Sequence, residues 1–275
     1  MIALIGASGR SGAALARALH ARGMPFRAVV RDAAKWSALG LPTPHAVADL
    51  ADPLALRAAL EGASLVVSCA HARHAPAILA ATAAPVVLMG STRRHSRWPD
   101  AHGDGVRAGE AAFRADGRPG VMLHPTMIYG AQGEDNVQRL AALMRRLPVL
   151  PLPGGGRALV QPIHQDDVTA CLLAALRLAP QGQRVLDVAG PAPLPYRDFC
   201  AAVARAAGLR PRPVVPLPAA LLMAAAPLAR LAGVRLGRDE VRRLTEDKAF
   251  DTTAMRRDLG VIPRPLAEGL RVTFA

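Results

Sequence analysis

The sequence predicts an α/β chain in which a doubly wound parallel sheet carries a small, mostly helical C-terminal lobe. Three observations predict it. A glycine-rich turn lies between an apolar run and a helical run at the very start. Short apolar runs then alternate with helical patterns through the first 130 residues, as strands covered on both faces require. Beyond about residue 131 the pattern becomes irregular and Pro-punctuated, which suits a lobe seated on the sheet.

The opening unit is the most specific. Met1 to Ile5 reads as a strand, Gly6-Ala7-Ser8-Gly9-Arg10-Ser11-Gly12 as a turn, the Ala/Leu-rich run to His20 as a helix, and Phe26 to Val30 as a second strand ending in Arg31-Asp32. Each glycine of the G-x-x-G-x-x-G spacing does something a side chain would obstruct. Gly6 turns the chain off the strand, Gly9 lets the backbone approach a pyrophosphate, and Gly12 lets the helix pack close to the sheet. The helix start then presents free N–H groups and a positive dipole end to the anion. This is a Rossmann-type nucleotide-binding unit, and residues 6–12 are its expected phosphate contacts. Arg31, with Asp32 after it and Arg10 in the turn, places two cations within reach of a ribose 2′-phosphate, so NADP(H) is favoured over NAD(H). On this reading residues 1–130 form the binding domain. Residues 131–275 complete the sheet over about 160–190 and build the substrate lobe.

Composition narrows the function classes. Hydrophobic residues make up 51% and charged residues 20%, a globular balance; aromatics are only 3%, so the core must be built from Ala, Leu and Val. The net charge is +13, and nearly all of it is Arg, since Lys35 and Lys248 are the only lysines. Those charges are scattered, with no basic run interleaved with aromatics, so nucleic acid is not an expected partner. Cys69, Cys171 and Cys200 are far apart, lack metal-ligand spacing and read as buried thiols, with no metal expected. The apolar stretch Leu217 to Leu236 is broken by Pro218, Pro227 and Arg230 and is no membrane span. No basic n-region precedes the first strand. A cytoplasmic monomer or homodimer acting on a small molecule is expected.

The remaining elements follow in order. Pro44 to Val47 is a strand leading to Asp49-Leu50, Pro53 to Leu60 a helix with Pro at its start, and Ser64 to Ser68 a buried strand. Ala75 to Ala83 is helical, and Pro85 to Met89 is a strand ending in Gly90-Ser91-Thr92. Residues 93–105 read as a surface loop, Val106 to Ala115 as a helix and Gly120 to Leu123 as a strand. Asn136 to Arg146 is an amphipathic helix, Pro148 to Gly156 a Pro/Gly-rich loop, and Val160 to His164 a short extended piece. Asp166 or Asp167 is the expected cap of a helix through Leu178. Arg184 to Val188 is a late strand, and Tyr196 to Ala207 a helix ended by Gly208.

The glycine turn, Val47-Ala48-Asp49-Leu50, His124-Pro125-Thr126-Met127-Ile128-Tyr129-Gly130, Gln161-Pro162-Ile163-His164-Gln165-Asp166-Asp167-Val168 and the tail with Asp258-Leu259-Gly260 together resemble the extended and atypical short-chain dehydrogenase/reductases, the epimerase/dehydratase group. The resemblance implies that Asp49 and Leu50 hold the adenine. It implies that Cys69, Ala70 and His71 line the ribose and pyrophosphate, and that Pro125 and Thr126 sit beside the nicotinamide. It puts Tyr129 at the floor of the substrate cleft. His124 stands where that group usually has Arg, and reads as a packing residue. Asp167 reads as a helix cap and His164 as a structural strand residue.

One part of the machinery is missing. Enzymes of this group that move hydride pair a Ser with Tyr-x-x-x-Lys, whose hydroxyls hold the substrate oxygen. Ser91 supplies the Ser, with Thr92 beside it. Counting back from Glu110, the Lys position is Val106 and the Tyr position is His102. The candidate catalytic set is therefore Ser91, His102 and Tyr129. Three readings stay open: an NADP(H)-dependent reductase or isomerase with His102 as acid, hydride transfer with water as the proton source, and a non-catalytic cofactor binder. A nucleotide sugar is the substrate typical of the group.

Overall fold

The structure, a computed structural model, describes residues 1–131, 136–231 and 237–275. The first half runs β1 (Ile2–Ile5), α1 (Arg10–Ala21), β2 (Phe26–Val30), α2 (Ala33–Ser37), β3 (His45–Val47), α3 (Pro53–Leu60), β4 (Leu65–Ser68), α4 (Ala75–Ala81), β5 (Val86–Met89), α5 (Ala101–Asp116) and β6 (Gly120–Pro125). The second half adds β7 (Ile128–Tyr129), α6 (Asn136–Arg146), β8 (Leu150–Pro153), β9 (Leu159–Val160), β10 (Ile163–His164), α7 (Gln165–Leu178) and β11 (Gln183–Val188). It closes with β12 (Leu194–Pro195), α8 (Tyr196–Ala206), β13 (Val214–Leu217), α9 (Ala219–Leu231), α10 (Arg238–Arg243) and α11 (Leu266–Phe274).

Seven parallel strands form the main sheet in the order β11-β6-β5-β4-β1-β2-β3. The order reverses between β1 and β4, and a ligand crevice opens outside the strand ends at such a switch point. Both faces are apolar, as a covered parallel sheet requires. Leu4, Val67, Val87, Val121 and Leu123 face α1 and α7, where Leu15, Leu19 and Leu172 join them. Ile5, Val66, Val86 and Met122 face Leu56, Ile78 and Phe113 on the other side. A third cluster around Tyr129, Met144, Phe199, Val203 and Leu270 holds the C-terminal lobe. β11 brings the second half of the chain into the sheet, in register with β6 from Gln183↔Gly120 to Val188↔Pro125.

Four local expectations are corrected. Residues 93–105 are not a loop: a single helical turn spans Thr92–His95, and α5 already begins at Ala101, because the Asp100 carboxylate accepts the Gly103 N–H at 2.7 Å. Gly103 and Gly105 sit inside this helix where side chains would crowd the Arg93 carbonyl and the His71 ring, at 3.1 and 3.0 Å. Pro148 to Gly156 contains β8, which pairs in parallel with β13 from Leu150↔Val214 to Leu217↔Pro153. Prolines are tolerated there because each strand of a two-stranded ribbon bonds along one edge only. α7 is capped by His164, whose Nδ1 accepts the Asp166 N–H at 3.2 Å. Asp167 instead accepts from Arg264, backbone N–H at 3.1 Å and Nε at 3.0 Å. α2 appears where no helix is expected, capped by Asp32, which accepts the Lys35 N–H. No helix among the described residues is long and apolar enough to cross a membrane, and residues 232–236 of the stretch Leu217 to Leu236 lie outside them.

Candidate functional site

The glycine turn has the geometry of a phosphate cradle. Gly6 has φ +72°, open to glycine at little cost, and its N–H donates to the Val29 carbonyl. A Cβ on Gly12 would lie 2.0 Å from the Gly6 carbonyl oxygen, so only glycine lets α1 start this close to β1. A Cβ on Gly9 meets only that same oxygen, at 3.2 Å, and otherwise points into open space. No side chain caps α1, which leaves its first N–H groups for an anion. Ser11 turns its hydroxyl inward to Gln165 of α7 at 3.1 Å, so its share of the cradle is its main chain. Ala7 is buried beneath the turn, while Ser8 and Arg10 border its outer side.

The other expected cofactor residues lie along the same carboxyl edge. Arg31 is exposed just past the end of β2. Asp32 is engaged by Lys35, through the backbone N–H at 3.1 Å and Nζ at 3.8 Å. Asp49 is exposed and folds back on the Ala51 N–H at 2.9 Å, and Leu50 packs on the core beside α3. Cys69, Ala70 and His71 follow β4, directly beside Gly6, with Ala70 N 3.2 Å from a Cβ placed there. Burial pushes the Cys69 thiol up to about 12, so it stays protonated and unreactive. His71 Nδ1 accepts the Arg73 N–H at 3.0 Å, which leaves the ring proton on Nε2. That Nε2 is buried and has no hydrogen-bond partner among the described residues. A buried orphan donor on the expected phosphate and ribose edge fits a dinucleotide acceptor. Burial, the His102 ring and Arg73 bring the His71 pKa down to about 4, so the ring is neutral at pH 7.

A cavity of about 1220 Å³ opens next to this edge. Ser91 and Thr126, at the ends of β5 and β6, form part of its floor. Ser91 Oγ accepts the Arg93 N–H at 3.2 Å and keeps its own proton to donate. Thr126 Oγ1 donates to the Gln161 carbonyl at 2.6 Å, and Thr92 Oγ1 donates to the Pro125 carbonyl at 3.2 Å. Gln161 ties the floor to the far wall: its Nε2 donates to the Gly190 carbonyl and its Oε1 accepts the Phe250 N–H, both at 2.8 Å.

The other two candidate catalytic side chains lie off the cavity lining. His102 stands in the first turn of α5 with its ring edge-on to His71, centroids 4.3 Å apart. Burial and the Arg93 charge lower its pKa, against the pull of Asp100. Tyr129 is buried in the lobe core rather than at the cleft floor. Its ring meets His164 edge-on at 5.2 Å, and its hydroxyl fills the space that a Cβ on Gly269 would need. Burial first, and Asp167 second, raise its pKa. Tyr196 does line the cavity, but its hydroxyl is bonded to Cys200.

Behind Ser91 lies an ion cluster that sequence reading did not assemble. Glu110 accepts from Arg94 at 2.6 Å and from Arg114 at 2.9 Å, and Asp187 of β11 accepts from Arg94 at 3.3 Å. Burial favours a protonated Glu110, but the bonds from Arg114 and Arg94 prevail and hold its pKa below the usual value. His124 is fully buried, accepts the Ser91 N–H on Nδ1 at 3.0 Å, and has Nε2 3.2 Å from Glu110. Its ring fills the space over Gly90, where a Cβ would lie 2.3 Å from Nδ1. Thus Ser91 is held from below by an imidazole that burial keeps neutral, its pKa down at about 4. Glu110 and His124 are each visible in the sequence, but Arg94, which joins Glu110 to Asp187, lies 16 residues before Glu110 and carries no local signal. Among the described residues no cluster of His, Cys, Asp and Glu could hold a metal ion.

Residues 6–95 match a family of NAD(P)H-binding domains. No curated protein sequence matches the chain. Among solved structures, the NADPH-dependent quinone oxidoreductase QOR2 of Escherichia coli, complexed with NADPH, matches with a TM-score of 0.79 at 19% identity over 100% of both chains. A dTDP-glucose 4,6-dehydratase of Streptomyces venezuelae with NAD bound matches with 0.77 at 14% identity, over 100% of this chain and 95% of that one. A UDP-glucose 4-epimerase of Thermotoga maritima with UDP-glucose matches with 0.75 at 13% identity, over 99% and 97%. The chain has the fold of these proteins, and its residues 6–95 carry an NAD(P)H-binding domain.

Proposed function

Starting from an NAD(P)H-binding domain on this fold, we propose that the chain is an NADP(H)-dependent oxidoreductase or isomerase-type enzyme acting on a carbonyl substrate held in the cavity. The observation that carries the reading is the junction of two sites: Ser91 and Thr126 end strands of the cofactor-binding sheet and also line a 1220 Å³ cavity. The preference for NADP(H) rests on Arg31 at the end of β2, with Asp32 taken up as the cap of α2.

The cofactor, when bound, supplies or accepts hydride. The chain does the rest. The main chain of residues 9–12 and the Nε2 proton of His71 bind the phosphate and ribose edge. The Ser91 hydroxyl donates to the substrate carbonyl oxygen and stabilises the charge that develops there. It is oriented by the Arg93 N–H on its oxygen and by His124 under its main chain. With the Tyr129 hydroxyl buried in the lobe core and the Tyr196 hydroxyl bonded to Cys200, the final proton comes from water.

A second reading, a non-catalytic NADP(H) binder, is favoured by one observation: no tyrosine hydroxyl among the described residues stands free in the cavity. Titration with NADPH, followed by NADPH oxidation against a panel of aldehydes, ketones and quinones, tests both. Binding with turnover supports the enzyme, binding without turnover across the panel supports the binder, and failure to bind NADPH overturns both.

A further inference from the structure

Ser91 and His95 stand at the two ends of one helical turn, and both line the cavity. Ser91 caps that turn with its oxygen and keeps its hydroxyl proton to give. Sequence reading puts the acid at His102, which lies off the lining. The structure puts a different imidazole, that of His95, in it. The His95 ring is half exposed and tilted against Phe250 of the far wall, centroids 5.6 Å apart.

His95 Nε2 lies 2.9 Å from Oδ2 of Asp187 in β11 and 3.1 Å from Nε of Arg94. One ring nitrogen cannot donate to the carboxylate and accept from the guanidinium at once. With a proton, Nε2 donates to Asp187; without one, it accepts the Arg94 N–H. Both states hold the same edge of the ring, while Nδ1 has no hydrogen-bond partner among the described residues. Asp187 is itself fixed by Arg94 Nη2 at 3.3 Å. The other charges around the ring are taken up elsewhere. Arg93, on the same turn, pairs with Asp100 at 2.7 Å, and Arg97 pairs with Glu246 at 3.7 Å. Glu110 is shared by Arg94 and Arg114. On the Phe250 segment, Lys248 donates to the carbonyls of Arg243 and Glu246, and Asp251 accepts from Thr253. A carboxylate on one imidazole nitrogen, with the second nitrogen unbonded, is the arrangement of a His–Asp acid–base pair.

We propose that His95, positioned by Asp187, is the acid behind the water that protonates the substrate oxygen. The inference rests on the carbonyl chemistry proposed above and adds the source of its proton. Hydride arriving on the carbonyl carbon breaks the C–O π bond and leaves the electron pair on oxygen, where the Ser91 hydroxyl donates to it. That oxygen takes a proton from one water, and the water takes the Nδ1 proton of the His95 imidazolium in its place. The neutral imidazole keeps its Nε2 proton on Asp187 and regains the other from solvent. In the reverse direction the same nitrogen accepts the proton of an alcohol through that water.

The test follows NADPH oxidation by the full chain with the fastest aldehyde or ketone of the panel, across pH, with an NADPH titration and a thermal melt in parallel. His95→Gln alters a half-exposed side chain, so the melt and the NADPH affinity should hold. Its kcat at neutral pH should fall roughly tenfold to a hundredfold, and the decline of the parent's rate toward alkaline pH, where the imidazolium loses its proton, should be absent. Free imidazole should restore about threefold or more of the rate to His95→Ala and add nothing to the parent. Asp187→Asn should lower kcat roughly threefold to tenfold with KM held. A parent-like kcat and pH profile in His95→Gln, or a parent-like rate in Asp187→Asn, overturns the relay and leaves the oxidoreductase reading standing. A loss equal at every pH that imidazole does not relieve overturns it as well, since that marks packing against Phe250. NADPH binding without turnover across the whole panel overturns both readings together.

Discussion

Gly9→Val separates cofactor binding from folding. Gly9 caps α1 in an extended conformation, φ −78° and ψ 172°, which valine adopts readily. Its added Cβ meets one atom within 4 Å, the Gly6 carbonyl oxygen at 3.2 Å, which a small adjustment relieves. The stability change should stay within about 1 kcal/mol. The two methyl groups, however, stand over the free N–H groups of the first turn of α1. Losing two charge-assisted bonds to a pyrophosphate, each about 1.5–3 kcal/mol, removes about 3–6 kcal/mol of binding, roughly a hundredfold to ten-thousandfold in Kd. NADPH fluorescence gives the affinity and a circular-dichroism melt gives the fold. Gly12→Ala is the contrasting control: its Cβ at 2.0 Å from main chain forces α1 to shift, so stability and affinity should fall together. A Gly9→Val protein that melts normally and binds NADPH within threefold of the parent would refute the cradle.

Arg31→Ala should cost NADPH about 1–3 kcal/mol of affinity and leave NADH nearly unchanged; equal affinities of the parent chain for the two cofactors count against a 2′-phosphate contact. Ser91→Ala should cut any turnover roughly tenfold to a thousandfold with little change in NADPH affinity, and unaltered turnover removes Ser91 from the chemistry. Glu110→Ala leaves Arg94 with Asp187 as its one carboxylate partner among the described residues and should cost about 1–3 kcal/mol, a fall in Tm on the order of 5 °C. Because the folded Glu110 pKa is depressed, its contribution is fully present above the ordinary carboxylate value of 4.5 and is lost as pH drops through the lower folded value. The Tm gap between the parent and Glu110→Gln should therefore hold from neutral pH down to about 5 and narrow below that; a gap independent of pH down to acid unfolding contradicts the ion-pair account.

What the sequence made legible was whatever the main chain dictates locally. The glycine turn is a case: Gly6 needs its positive φ and Gly12 its bare Cα whatever surrounds them, and both are spelled in order. α3 was readable to its ends, because Asp52 and Pro53 start it by local bonds alone. The start of α5 was not, because Gly103 and Gly105 carry a poor helix propensity that only the close approach of Arg93 and His71 explains. The β8–β13 ribbon was hidden for another reason: its partner lies some sixty residues away and its strands contain prolines. The cavity wall is the extreme case. Arg93, Arg146, Arg243 and Lys248 are unremarkable members of a scattered basic population until the fold gathers them.

The Gln161 clasp has a consequence for motion. Swinging the Phe250 wall away from the sheet edge would break the hydrogen bond from the Phe250 N–H to the buried Gln161 side chain, at about 1–3 kcal/mol, so the opened form should hold no more than about 15 per cent of molecules. The cleft is thus shaped before anything arrives. A ligand meets walls that need no further ordering, keeps the entropy that a closing lid would have consumed, and enters without waiting for a gate.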